Sequence, residues 1–119
     1  MKIITLATLK EATEQEVFDY VGHHLLKQNK HSNLKKLGKC AYRGENNRKC
    51  AGGWLIADSE YKPEMEKATW RDLIKSGQVP SEHEDLIFAL QNVHDGYDVS
   101  KWSEQLRNVA IKFNLNLGE

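Results

Sequence analysis

The sequence is poor in the residues that cross-link or interrupt a small fold. Its 119 residues include two cysteines and two prolines, and they contain no low-complexity or repeated segment. A domain of this length buries enough apolar surface to fold without disulfides or metals, so the cysteines are not needed as scaffold. The composition, 39% hydrophobic and 29% charged, is that of an ordinary globular protein. We predict a single domain over residues 1–119.

The first residues are not expected to act as a secretion signal. The stretch MKIITLATLK has an apolar-leaning run that is too short for a transmembrane helix, and no small-residue cleavage site follows it. We therefore expect a cytoplasmic protein that makes no membrane contact. In a reducing compartment Cys40 and Cys50 are expected to be free thiols.

Net charge is zero, which argues against a general nucleic-acid coat, but the charges are unevenly placed. Residues 27–49 carry eight basic side chains against Glu45 alone, a balance of +7, so the rest of the chain carries −7. The basic residues are Lys27, Lys30, Lys35, Lys36, Lys39, Arg43, Arg48 and Lys49. This segment is either a surface for an anionic partner or a solvated face, and the sequence leaves both open.

Apolar spacing predicts four helices. A capping box of Thr13 and Glu16 starts the first, which runs from about 14 to 27 or 28. The second is predicted from about Pro63 to about Ser76.

The third predicted helix follows a capping box of Ser81 and Glu84 and runs to about His94. The fourth is capped by Asp98 or Ser100 and has an apolar stripe at helical spacing. That stripe consists of Trp102, Leu106, Val109, Ala110 and Phe113.

The segment KCAYRGENNRKCAGGWLIADSEY, residues 39–61, gathers most of the unusual residues. CAYR and RKCA flank the turn-forming GENN, which predicts a small β-hairpin. Gly52 and Gly53 then indicate a bend or a close backbone approach. Four helices with one hairpin define a mostly helical α+β class.

One pattern extends over most of the chain: C-x-Y-R, a short turn, K-C-A-x-G-x-L-I-x-D-x-x-Y-x-P-x-M-E, then L-Q-x-x-H-D and a tryptophan-led last helix. It is carried by Cys40, Tyr42, Arg43, Lys49, Cys50, Ala51, Gly53, Leu55, Ile56, Asp58, Tyr61, Pro63, Met65, Glu66, Leu90, Gln91, His94, Asp95 and Trp102. In this pattern the chain resembles a group of small, uncharacterised proteins encoded by bacteriophages and prophages. The resemblance implies a phage-type accessory protein in the bacterial cytoplasm, a setting in which inhibitors of host enzymes or defence systems are frequent.

Anion recognition is the first candidate chemistry. Arg43, Arg48 and Lys49 supply cationic groups, and arginine's planar fork suits phosphate. Aromatic side chains that can stack on a base accompany them: Tyr42, Trp54 and Tyr61. The alternative is that the arginines pair with nearby carboxylates, namely Asp58, Glu64 and Glu66.

A cysteine nucleophile is the second candidate. Cys50 precedes a glycine pair whose amides suit an anion, and His94 with Asp95 is a candidate base and orienter. Neighbouring helical residues diverge by about 100°, so we do not expect Asp95 to hold the ring of His94. The alternative is that Cys50 is a small buried apolar residue and His94 borders the core.

A zinc site is not predicted, because nine residues lie between the two cysteines and structural zinc ligands come in tighter pairs. No cofactor is predicted.

The sequence thus favours a phage-type accessory protein that binds a host protein or an anionic nucleotide-type ligand and thereby inhibits a host process. Nucleic acid is not favoured as a partner, and a small hydrolase or transferase using Cys50 and His94 is the alternative.

Overall fold

The first helix begins and ends where the sequence predicts. The computed structural model describes residues 3–34 and 39–117, and in it α1 spans Glu14–Gln28. The Thr13 hydroxyl accepts the Glu16 backbone N–H, and the Glu16 carboxylate accepts the Thr13 N–H, so the capping box is confirmed. Asn29 ends the helix in the left-handed conformation, with φ 53°.

The second predicted helix is wrong as a continuous element. A 3₁₀ helix spans Pro63–Lys67, and α2 is the short helix Trp70–Lys75. Between them Ala68 is extended, with φ −125° and ψ 147°. A second capping box explains the break: Thr69 caps α2 and pairs reciprocally with Asp72, so the chain restarts the helix there.

The third helix, α3, spans Glu84–Gly96. Its start is as predicted, but the Ser81–Glu84 capping box is wrong: His83 occupies the cap position with φ 65° and makes no side-chain cap. The fourth helix, α4, spans Trp102–Phe113 and is preceded by a 3₁₀ turn, Val99–Lys101, which Asp98 caps.

The α+β class is wrong, because the described residues form a helical fold. Their extended pairing is limited to two residues on each side, where β1 (Asn33–Leu34) runs antiparallel to β2 (Lys39–Cys40). That pairing is too short to form a layer, and it joins Lys39–Cys40 to the residues before the predicted hairpin and not to its second arm. In place of the hairpin turn the chain forms a 3₁₀ turn at Glu45–Asn47.

Side chains explain why the predicted hairpin does not form strands. Glu66 accepts the backbone N–H groups of Tyr42 and Arg43, each at 2.9 Å. On the other arm, Gln28 bonds both the N–H and the carbonyl of Lys49. The backbone groups that a ladder requires are thus already satisfied, which removes the drive to pair strands.

Helix α3 lies at the centre of the packing and contacts α1, α2 and α4. A single cluster of buried side chains runs from Ile4 to Ala110 along the chain and includes the apolar faces of all four helices. The predicted stripe of α4 is buried at Trp102, Leu106, Val109 and Ala110. Periodicity therefore identified the buried faces, even where it misjudged helix boundaries.

The 3₁₀ helix Gly52–Leu55 passes so close to Tyr42 that only glycine fits, which confirms the close approach expected from the glycine pair. A Cβ on Gly53 would lie 2.4 Å from the Tyr42 carbonyl oxygen.

We expect Gly53→Ala to lower the free energy of unfolding by about 2 kcal/mol or more in urea denaturation. Gly96→Ala is the matched control, because nothing lies within 4 Å of its added Cβ. Equal losses in the two variants would contradict the close approach.

Candidate functional site

The segment that carries most predicted site residues is held in place by one carboxylate. The two oxygens of Glu66 accept the N–H groups of Tyr42 and Arg43, and Oε2 also accepts the Tyr61 hydroxyl at 2.6 Å. Burial, followed by this hydrogen bond and the charge of Glu66, raises the pKa of Tyr61 well above its usual range. The phenol therefore remains a donor at neutral pH.

Arg43 completes this network from the other side. Its guanidinium donates to the carbonyl oxygens of Gly53 at 3.0 Å and Ile56 at 2.7 Å, and to Asp58 at 3.0 Å. It also lies 4.9 Å from the centroid of the Tyr61 ring. Only 18% of the Arg43 side chain is exposed. The guanidinium is occupied by protein groups: backbone carbonyls and, of the carboxylates named in the alternative, Asp58.

Tyr42, Arg43 and Tyr61 are thus brought together, but as parts of this structural network. The Tyr42 ring is buried, and its hydroxyl donates to the Ala68 carbonyl at 2.9 Å. We call Tyr42, Arg43, Tyr61 and Glu66 the Arg43–Glu66 network. It fixes the loop on which the remaining predicted site residues lie.

Arg48 and Trp54 lie elsewhere, at an open cleft of about 530 Å³ between α1 and the loop at 46–54, and Lys49 contacts Trp54 without lining this cleft. The residues that line this cleft are His24, Lys27, Gln28, Lys30, Asn46, Asn47, Arg48 and Trp54. Three of them are cationic, and none of these described residues is acidic. We call this feature the basic cleft.

An aromatic pair forms part of the basic cleft. The His24 ring stacks on Trp54, with centroids 4.3 Å apart and planes 12° from parallel. The Lys49 ammonium lies 4.5 Å from the Trp54 ring centroid. Trp54 is therefore in contact with a cation and an imidazole, so that an aromatic surface and positive charge share one location.

Positive charge accumulates at this place. Burial lowers the pKa of His24 below its ordinary value of 6.5, and the charges of His23, Lys27 and Lys49 lower it further. Burial also lowers the pKa of Lys49. The neighbouring charges thus disfavour a further proton on His24, and a bound anion would relieve that repulsion.

Cys50 lies inside the core with 1% of its surface exposed to solvent. Its backbone N–H donates to the Ala41 carbonyl. The glycine pair beside it is not an open anion nest, because the Gly52 N–H donates to the Gln91 side chain at 2.9 Å. The position of Cys50 matches the packing alternative for this thiol.

The expectation that Asp95 would not hold His94 is wrong. His94 Nδ1 lies 2.8 Å from Asp95 Oδ1, and Nε2 accepts the backbone N–H of Ser32 at 2.9 Å. A backbone N–H only donates, so Nε2 carries no proton and Nδ1–H donates to the carboxylate. A base must have a free lone pair, whereas Nε2 of this fully buried ring has a structural partner.

Sequence reasoning missed four residues that line the basic cleft, namely His24, Gln28, Asn46 and Asn47, and it treated Lys27 and Lys30 only as part of a basic run. A signal existed on α1, since His24, Lys27 and Gln28 are spaced i, i+3, i+4 and share one face. No comparable local signal joins that face to Arg48, because the contact is tertiary.

Comparison with known proteins gave no match to a family model, to a curated protein or to a solved structure.

Across residues 3–34 and 39–117, no group of three or more His, Cys, Asp and Glu side chains is placed to hold a metal ion. In that same part of the chain, no helix combines the length and apolar character required to cross a bilayer. The side chain of Cys40 lies outside the described residues.

The two predicted binding arginines should respond differently to truncation. Arg43→Ala leaves the Gly53 and Ile56 carbonyls without their donor, so we expect the free energy of unfolding to fall by about 2–4 kcal/mol. The Arg48 guanidinium makes no hydrogen bond to another described residue, so Arg48→Ala should cost less than about 0.5 kcal/mol. Urea denaturation of both variants measures the difference, and similar losses would contradict these separate roles.

Acid should destabilise the protein partly through His24. Because its pKa is lower in the folded state, the unfolded state binds more protons, and stability is lost as pH falls from about 6.5 through the folded pKa. His24→Gln cannot titrate, so its unfolding free energy should fall less between about pH 7 and pH 5 than that of the wild type. Urea denaturation over this range gives both slopes. Parallel slopes would show that His24 does not contribute.

Proposed function

We propose that this protein is a binding protein that holds a phosphate-bearing, nucleotide-type anion in the basic cleft. One observation carries the proposal: Lys27, Lys30 and Arg48 converge on a cleft in which no lining residue of the described chain is acidic. Two elements far apart in sequence supply these cations, since α1 and its exit provide the lysines and the 46–54 loop provides the arginine.

The charges are available to a ligand. Arg48 makes no hydrogen bond or ion pair with another described residue, in contrast to Arg43, and Lys27 and Lys30 are exposed. Hydrogen bonds between a charged donor and a phosphate are about twice as strong as neutral ones, and arginine binds two phosphate oxygens at once. An anion would also reduce the repulsion that lowers the pKa of His24.

The size of the basic cleft favours a small ligand. Its volume of about 530 Å³ falls within the range of small-molecule sites, about 300–1,000 Å³. The three cations that line the cleft, Lys27, Lys30 and Arg48, are enough for the phosphates of a single nucleotide. A nucleotide-type ligand fits both observations better than a polynucleotide.

The biological role that we propose rests on the resemblance to phage-encoded proteins. A protein that sequesters a nucleotide-type ligand would withhold it from a host enzyme or defence system, and inhibition would need no catalytic step. The burial of Cys50 and the structural partner of His94 Nε2 favour binding over the cysteine-dependent alternative.

Charge reversal tests the proposal. Lys30→Glu combined with Arg48→Glu should weaken binding of a nucleoside triphosphate by at least about 100-fold in isothermal titration calorimetry, since two charge-assisted contacts are lost and two repulsions gained. The wild type is titrated with ATP, GTP, CTP and UTP, and the best-bound nucleotide serves as the probe.

The matched control is Lys10→Glu with Arg107→Glu, which changes net charge equally at two exposed positions outside the basic cleft. The control should retain wild-type affinity and, like the cleft variant, a melting temperature within a few degrees of the wild type. Loss of affinity in both double variants, or binding of none of the nucleotides by the wild type, would contradict the proposal.

A further inference from the structure

We infer that His24 is the pH-sensitive member of the basic cleft: its imidazole accepts one proton from the solvent when a phosphate binds, and the imidazolium then donates to a phosphate oxygen. This inference rests on the proposed function and adds a ligand-contacting residue and a regulation to the same site. His24 lines the cleft beside Lys27, Lys30 and Arg48. Affinity for the ligand should therefore rise as the pH falls below neutral.

The ring nitrogens of His24 are available to a ligand. The residue is partly buried, and neither nitrogen makes a hydrogen bond to another described residue. Three other histidines differ, because a ring nitrogen of each lies within hydrogen-bond distance of a protein group: His31, His83 and His94. An imidazole without a protein partner inside a cleft can donate to an anion once it is protonated.

Aromatic contacts hold the His24 ring in place without using its nitrogens. Its face stacks on Trp54, with centroids 4.3 Å apart and planes 12° from parallel. The Tyr20 ring lies against it in an edge arrangement, at 4.6 Å and 72°. The imidazole is thus positioned before a ligand arrives, which lowers the entropy cost of binding.

The titratable groups around His24 come from both elements packed against it. They are Tyr20, His23, Lys27 and Lys30 on α1 and its exit, and Arg48 and Lys49 on the 46–54 loop. Burial lowers the pKa of His24, and the charges of His23, Lys27 and Lys49 lower it further. Burial raises the pKa of Tyr20, so this phenol stays uncharged near neutral pH. Asp58, a carboxylate that acts on Lys49, binds Arg43 at 3.0 Å.

A bound phosphate reverses this balance. An opposite charge within about 4–6 Å favours the charged imidazole and raises its pKa by about 1–3 units. Because the pKa of His24 is then higher in the complex than in the free protein, binding takes up a proton at pH values between the two. The added affinity is fully present below the pKa of the free protein and is lost as the pH rises through that of the complex. Of the residues that line the cleft, His24 is the one whose charge changes near neutral pH.

NMR titration of the histidine rings tests the proton uptake directly. The full chain is titrated with acid both free and saturated with the best-bound of ATP, GTP, CTP and UTP, and His24→Gln assigns the His24 signal. We expect the nucleotide to raise the pKa of His24 by about one unit or more. The exposed His23 ring, which does not line the cleft, is the internal reference, and its pKa should change less. An unchanged or lowered pKa of His24 would overturn the inference.

Affinity gives a second readout. Calorimetric titrations with the same nucleotide at about pH 8 and about pH 5.5 compare the wild type, His24→Gln and the matched control His23→Gln. On acidification, the affinity of the wild type relative to His24→Gln should rise about tenfold, and His23→Gln should follow the wild type. The terminal phosphate of the nucleotide itself titrates near pH 6, but equally for all three proteins, so the ratio removes this effect.

The outcomes separate the inference from the proposed function. If the wild type binds the nucleotide and its affinity changes with pH in parallel with that of His24→Gln, the role of His24 is overturned while phosphate binding stands. If His23→Gln loses the pH dependence to the same degree as His24→Gln, the assignment to His24 is also overturned. If the wild type binds none of the four nucleotides at either pH, the proposed function fails as well.

Discussion

The carboxylate of Glu66 is the interaction on which the middle of this structure depends. Residues 41–58 contain two short 3₁₀ helices but no α-helix or strand, and buried backbone groups without partners would cost free energy. Glu66 satisfies two consecutive backbone N–H groups and the Tyr61 hydroxyl, and Arg43 satisfies carbonyls from the following turn. Two charged side chains thereby satisfy backbone hydrogen-bonding groups of this segment, as a neighbouring strand does in a sheet.

That arrangement has a consequence for function. Because the Arg43–Glu66 network and the glycine approach at Gly53 fix the path of the loop, Arg48 and Trp54 are held against α1. The basic cleft is then a product of two separately stabilised elements, a capped helix and a side-chain-clamped loop. A site held on such supports needs little ordering when a ligand binds, which favours affinity.

The sequence predicted the helical part of this fold well. Thr13 and Glu16 make a local capping box, and α1 begins at that box because both hydrogen bonds form within one turn. The break before α2 was also encoded locally, by Thr69 and Asp72, but the continuous apolar pattern across it hid the signal. The hairpin failed for a different reason, since its competitor was a carboxylate more than twenty residues away.

The candidate site shows the same division between features that are local in the sequence and features that depend on tertiary contacts. The sequence by itself determined where basic and aromatic residues concentrate, because composition and spacing are properties of the chain. Only the tertiary structure decided that the Arg43 guanidinium binds backbone carbonyls of the protein while Arg48 lines a cleft. The two residues are both arginines and lie five positions apart, so the sequence gives no reason to expect different environments. The physical reason is that a guanidinium binds whichever acceptors the folded chain brings to it, and those acceptors come from residues distant in sequence.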